Sequence, residues 1–303
     1  VILVVIAAAA LQLGIGPTPA PSPAPSEVVL ASQRVVVPMT YTRKRILIQT
    51  MINGAGPFTL SLNTNARLQI APEALMEAKV VLMDPPPPTL AAVPTPVPAV
   101  TPPPPPKVGV IPVMDIEGVE LKNIPVVANY RRGGGIDGTI GYPLFARLRS
   151  RIDVRAATIT FTDPANDVMP LSGTVMPMEI KRAQTPAVNG VVDGLAGVFM
   201  FDTTSSAGLL LSSPFVSSHN LYTRTTGSAA DDSTGNARFL ESRPLALMLG
   251  PLAFGPVPTE LSTSNSGIGS DPYSAGTVGM RILEKYIVTF DFPNGQIALE
   301  KYP

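Results

Sequence analysis

The stretch G-P-F-T-L-S-L-N-T-N-A, Gly56 to Ala66, opens on a Gly-Pro turn, continues as an apolar strand and ends on a polar N-T-N. A strand of that kind carries whatever follows it to a fixed point in the fold. The design recurs. G-V-F-M-F-D, Gly197 to Asp202, repeats the turn and strand with Asp202 in the place of Asn63, 139 residues later (202 − 63). G-T-I-G-Y-P-L-F at Gly138 returns as G-T-V-G-M-R-I-L at Gly276, and the run from Arg151 to Phe161 returns from Thr289 to Leu299, both at 138 (276 − 138 and 289 − 151). Three blocks in one order at nearly one spacing mark a tandem duplication. Its halves are residues 35–165 and 166–303.

The texture of both halves is that of an all-β protein with few short helices. Runs such as R-I-L-I-Q-T-M-I, A-T-I-T-F and Y-I-V-T-F-D-F are short, rich in β-branched and aromatic residues, and bounded by Gly, Pro, Asn or Asp. Short helices are predicted over Pro72–Lys79, Pro143–Leu148, Pro214–His219 and Met280–Lys285, three of them with Pro near the first helical position, where its missing N–H costs nothing. The first half also carries an insertion, residues 84–106, with 12 prolines in 23 residues. It can be neither a central strand nor a helix, and is predicted to be an exposed, extended excursion.

The 303-residue chain opens on V-I-L-V-V-I-A-A-A-A-L-Q-L-G-I-G, residues 1–16, followed by a Pro/Ala/Ser linker over 17–34. The apolar run reads as a truncated signal-peptide core or as a membrane anchor, so the rest is expected to be exported, either periplasmic or secreted, or tethered to a membrane through its N-terminus. Lys plus Arg and Asp plus Glu both total 22, which leaves no electrostatic footprint for nucleic acid. Cysteine is absent, which excludes disulfides, thiol nucleophiles and zinc-thiolate sites, and a single histidine excludes a His-rich metal site. No metal or cofactor is expected.

The order of these blocks resembles the retropepsin-like aspartic peptidases: a strand running into D-T-[GS]-[AS], then much later two apolar residues and Gly, a short helix, and a strand containing I-D. Two such lobes in one exported chain look like a bacterial tandem form related to the pepsin architecture. The second half matches best, with F-D-T-T-S-S-A-G at Phe201 to Gly208; the first has N-T-N-A at Asn63 to Ala66. T-I-G ending at Gly141 and T-V-G ending at Gly279 fit the element that, in that family, crosses beneath the active loop.

The resemblance implies two acid-protease lobes with pseudo-two-fold symmetry and a peptide or unfolded polypeptide as partner. It also implies a pair of carboxylates across the lobe interface that share one proton, one acting as base toward water and the other as acid toward the scissile carbonyl. The Thr after each carboxylate, here Thr64 and Thr203, would hydrogen-bond across the pair. Three departures stand out. Asn63 occupies the first carboxylate position, and an amide can neither share the proton nor act as base. Asn65 replaces the first Gly, a mild change because Asn tolerates left-handed backbone. Thr204 replaces the second, and a β-branched residue there is expected to resist the turn and hold the loop wide.

Asp202 is then the single catalytic candidate in pattern. Asp137, before G-T-I-G, is the nearest other acid but reads first as an Asp-Gly turn. Asp153 and Asp291 recur inside strands and read as structural. His219 could be imagined in a Ser-His-Asp triad, yet S-S-P-F-V-S-S-H-N reads as a helix capped by Ser213. Two functions compete: a catalytically impaired aspartic-peptidase-like protein that binds extended polypeptide in the interlobe cleft, and an active endopeptidase using Asp202 unpaired or paired across a dimer.

Overall fold

A computed structural model describes residues 24–85, 104–167, 170–181, 184–231 and 238–303. The apolar run 1–16 and most of the proline-rich insertion lie outside the described residues.

The first half contributes β1 (Glu27–Leu30), β2 (Arg34–Pro38), β3 (Thr40–Thr42), β4 (Arg45–Ile52), β5 (Ala55–Leu62), β6 (Gln69–Ile70), α1 (Pro72–Glu77), β7 (Leu82–Met83), β8 (Lys107–Ile116), β9 (Val119–Ala128), β10 (Gly138–Ile140), α2 (Tyr142–Phe145), β11 (Arg149–Asp153) and β12 (Thr158–Thr162). The second contributes β13 (Thr174–Pro177), β14 (Glu179–Ile180), β15 (Pro186–Val192), β16 (Leu195–Phe201), β17 (Leu209–Leu211), α3 (Ser213–Ser218), β18 (Thr225–Asp231), β19 (Arg238–Leu249), β20 (Leu252–Ser262), β21 (Gly276–Val278), α4 (Met280–Leu283), β22 (Tyr286–Asp291) and β23 (Gln296–Lys301). All four predicted helices are present, three of them shorter than predicted and the third of the predicted length but begun one residue earlier. The first ends because Lys79 turns left-handed. The third begins after Ser212 rather than Ser213, and the Ser212 hydroxyl donates to the Ser274 carbonyl without accepting a helix N–H.

Alternation builds the strands. In β4 the residues Ile46, Ile48, Thr50 and Ile52 point inward while their neighbours face out, the period-2 pattern of a sheet with one buried face. β10 then lies parallel to β5, with Gly138 opposite Leu60 and Ile140 opposite Leu62, and antiparallel to β6. In the second half β21 lies parallel to β16 and antiparallel to β17 in the same way. Each half thus closes into a barrel-like sheet whose central strand threads between two others.

The halves meet in a third sheet of six strands, ordered β13-β23-β22-β11-β12-β2. Its register obeys the duplication. Arg151 pairs with Thr289, Ser150 with Phe290 and Ile152 with Val288; at a spacing of 138 the first pair maps onto itself and the other two onto each other. The pseudo-two-fold axis therefore passes through the Arg151–Thr289 pair. Above it the aromatic rings of Phe145, Phe290, Phe292 and Phe201 pack together, Phe145 stacking on Phe292 at 5.6 Å. They bury a shared core between the halves.

One interval departs from its prediction. The linker expected over 17–34 ends earlier, since Glu27–Leu30 pairs with Val119–Lys122 of β9. E-V-V-L carries no proline, and Val28 and Leu30 pack on the core.

A polar contact also crosses between the halves. The tight turn at Arg43 and Lys44, both at positive φ, brings Lys44 onto Glu284 beyond α4, and the Tyr41 hydroxyl donates to the same carboxylate at 2.7 Å. Burial pushes the Glu284 carboxyl up, but the bonds from Lys44 and Tyr41 outweigh it and hold the group below its ordinary value. A carboxyl held low in the fold adds stability that is present above its unfolded pKa and is lost as pH falls through its folded one. Below about pH 4.5 the natural chain should therefore lose a stability increment that Glu284→Gln lacks, read as converging urea midpoints of the two proteins on acidification; parallel pH profiles would show that the contact adds nothing.

The insertion leaves from β7 and returns into β8, and these pair, Met83 opposite Val108. Its two ends thus lie on adjacent strands, about 5 Å apart, a gap a short turn can close. Since closure entropy varies slowly with loop length, deleting Leu90 to Pro103 should leave the melting temperature unchanged or slightly raised. A drop of many degrees would mean that the tract packs against the body.

Candidate active site

β5 and β16 deliver the two loops to the junction of the halves, where they hold each other. The Thr64 hydroxyl donates to the Phe201 carbonyl at 2.7 Å and accepts the Thr203 N–H at 3.3 Å; the Thr203 hydroxyl donates to the Leu62 carbonyl at 2.9 Å and accepts the Thr64 N–H at 3.1 Å. Both threonines are fully buried. The four bonds form two mirrored pairs, each hydroxyl seated between the amide and carbonyl of the other loop.

One residue earlier on each strand stand Asn63 and Asp202. Their backbone amides donate to Ile140 and Val278, so each is anchored to its own threading strand. Their side chains make the same local turn: Asn63 Oδ1 accepts the Asn65 N–H at 2.9 Å, and Asp202 Oδ1 accepts the Thr204 N–H at 2.8 Å. Asp202 Oδ1 takes two more donors, the Thr204 hydroxyl at 2.7 Å and the Ser205 N–H at 3.2 Å. All the hydrogen bonds drawn by this carboxylate from described residues thus go to one oxygen.

Thr204 overturns its expectation. No non-glycine residue in either loop has positive φ, so this turn never demanded glycine. The side chain draws the loop onto the carboxylate instead of holding it wide. Asn65 is less well served: its Nδ2 and Oδ1 are buried without partners among the described residues, a local cost of about 1–3 kcal/mol.

Gly141 and Gly279 do need to be glycine. A Cβ on Gly141 would lie 2.0 Å from the Asn63 carbonyl oxygen, and one on Gly279 would lie 2.5 Å from that of Ala207. The segments after them complete the loops, Tyr142 N–H donating to Ala66 and Met280 N–H to Ser205.

The other candidates sit elsewhere. Asp137 is buried, accepts the Thr59 N–H at 2.8 Å and pairs with Arg132; Thr59 is four residues before Asn63, about 13 Å down the strand, so Asp137 does not face Asp202. Asp153 and Asp291 cap the turns that follow their strands, through Ala156 N–H at 3.0 Å and Asn294 N–H at 3.3 Å. His219 is exposed at the end of α3, tilted against Phe215 with ring centroids 4.3 Å apart, and its Nδ1 lies beside the Ser218 hydroxyl and the Phe215 carbonyl; no triad forms around it among the described residues. None of the described residues forms a cluster of His, Cys, Asp and Glu suited to a metal. Sequence reasoning missed the second duty of Thr204, which required knowing its backbone angle.

No family model matches the sequence, and no curated protein matches it. Solved structures do. An aspartic proteinase from Irpex lacteus superposes with a TM-score of 0.52 over 88% of this chain and 97% of its own, at 13% identity. Basic 7S globulin from soybean gives 0.47 over 88% and 95%, at 12% identity. The chain has the two-lobe pepsin-like fold, as the duplicated blocks predicted.

The threonine pair carries a direct test. Thr203→Val leaves the Leu62 carbonyl and the Thr64 N–H buried without partners, so it should cost about 2–4 kcal/mol, and Thr64→Val a similar amount. Serine at either position should restore most of the loss in urea denaturation. Valine variants as stable as the natural chain would show that the loops are held by other means.

Proposed function

We propose that this chain is a catalytically impaired member of the pepsin-like architecture that binds extended polypeptide between its lobes without cutting it. The observation that carries the reading is the pairing of one carboxylate with one amide. Thr64 and Thr203 lock the loops together while Asn63 stands where the second acid would be. An Asp–Asn pair has one titrating carboxyl and no partner to hold the shared proton, so a water cannot be deprotonated on one side while the carbonyl is protonated from the other. A cell-envelope or secreted setting belongs to the same proposal, supported by the apolar opening run.

Because Thr204 closes the loop onto Asp202, Asn63→Asp alone should be enough to rebuild a pair of acids. That variant is expected to gain acid-dependent cleavage of an unfolded polypeptide, inhibited by a statine-type mimic, whereas the natural chain binds the polypeptide and leaves it whole. Adding Thr204→Gly should weaken the rebuilt enzyme. Proteolysis by the natural chain, sensitive to the same mimic and abolished by Asp202→Ala, would overturn the proposal in favour of an endopeptidase.

A further inference from the structure

The six-strand sheet that joins the halves carries an unexplained polar face. Residues paired across an antiparallel ladder project to the same side, and two such rows run across four strands. The first row is Arg34, Thr162, Arg149 and Asp291; the second is Val36, Thr160, Arg151 and Thr289. Between them and the segment that leads into β13 lies a cavity of about 430 Å³, lined by the three arginines and the three threonines.

The charges there are unevenly answered. Arg149 pairs with Asp291 and Asp167, and Arg151 with Glu300 and Asp153. Asp167 also lines the cavity. The Arg34 guanidinium, by contrast, makes no ion pair with any described residue. Thr160, Thr162 and Thr289 are each more than nine-tenths buried as residues, and their hydroxyls make no hydrogen bond to described residues yet are not fully enclosed; the space they reach is the cavity they line. Three free hydroxyls and an unanswered guanidinium thus open into one space, on both sides of two arginines whose charge is already balanced.

We propose that this cavity binds a small molecule bearing a phosphate or sulfate group. Its donors come from strands about 5 Å apart, so an acceptor with three or four oxygens engages more of them than a two-oxygen carboxylate can. The volume leaves room for the rest of a small ester. Thr289 comes from the second half of the chain and the other donors from the first, which makes the ligand a clamp across the pseudo-two-fold axis. None of these residues lies in either active-site loop, so this site stands or falls independently of the peptide-binding proposal.

The test uses inorganic phosphate and sulfate as probes on the full chain, at constant ionic strength against chloride. Saturable binding in calorimetry and a saturable rise in melting temperature are expected, with acetate much weaker. The paired variant Thr160→Val with Thr289→Val keeps side-chain volume and should weaken binding at least tenfold, and Arg34→Ala several-fold, with melting in chloride close to that of the natural chain. A rise that never saturates and is equal in the variants is general salting-out and would overturn the proposal. So would the absence of any response, or an equal response to acetate. If the paired variant melts abnormally in chloride, Arg34→Ala on the rim decides alone.

Discussion

Each of the two buried threonines, Thr64 and Thr203, satisfies backbone groups that belong to the other half of the chain. Buried amides and carbonyls have to be paired somewhere, and at this point neither half can pair its own. A half folded alone would leave that N–H and C=O open to water at the end of its strand, and the partner loop replaces that water when the halves meet. The loops are therefore complete only when the lobes are joined, and everything else at the site takes its position from that junction. Asn63 and Asp202 precede the threonines, and the threading strands β10 and β21 fix the backbone behind them.

The joining sheet imposes the same symmetry at a second level. Its central register follows a spacing of 138 (289 − 151), and the loops follow 139 (203 − 64). Near-equality hides different contents. Between loop and threading strand the first half runs 74 residues (138 − 64) and the second 73 (276 − 203). The first spends many of them on proline-rich sequence; the second spends them on the longer strands β19 and β20. What the duplication conserves is the frame of strands that meet at the axis, since a change there would have to be matched in both halves at once.

This explains what could be read from the residues alone. The strand-to-loop blocks, the G-T-[IV]-G elements and the short helices were legible because each is a local pattern repeated twice. The pairing of β11 with β22 was not, since it joins residues some 140 positions apart and depends on the halves docking first. β1 was hidden because E-V-V-L is too short to stand out beside a proline-rich neighbour. Thr204 was misjudged for another reason. Glycine in the related motif suggested a backbone angle that only glycine favours, whereas this loop keeps negative φ throughout and uses the threonine hydroxyl as a third donor to Asp202.

Asn63 shows how folding and chemistry can part at one position. The loop asks its first residue for an oxygen to accept the amide two residues on, and the asparagine carbonyl supplies it at nearly the distance found at Asp202. Catalysis by a paired acid asks for more: a second group that can give and take a proton. Size, shape and the turn-forming bond survive the exchange of carboxylate for amide; the proton does not. The exchange also removes the repulsion between two acids held close together, which otherwise forces them to share one proton. A loop built this way keeps the turn and its hydrogen bonds at lower electrostatic cost.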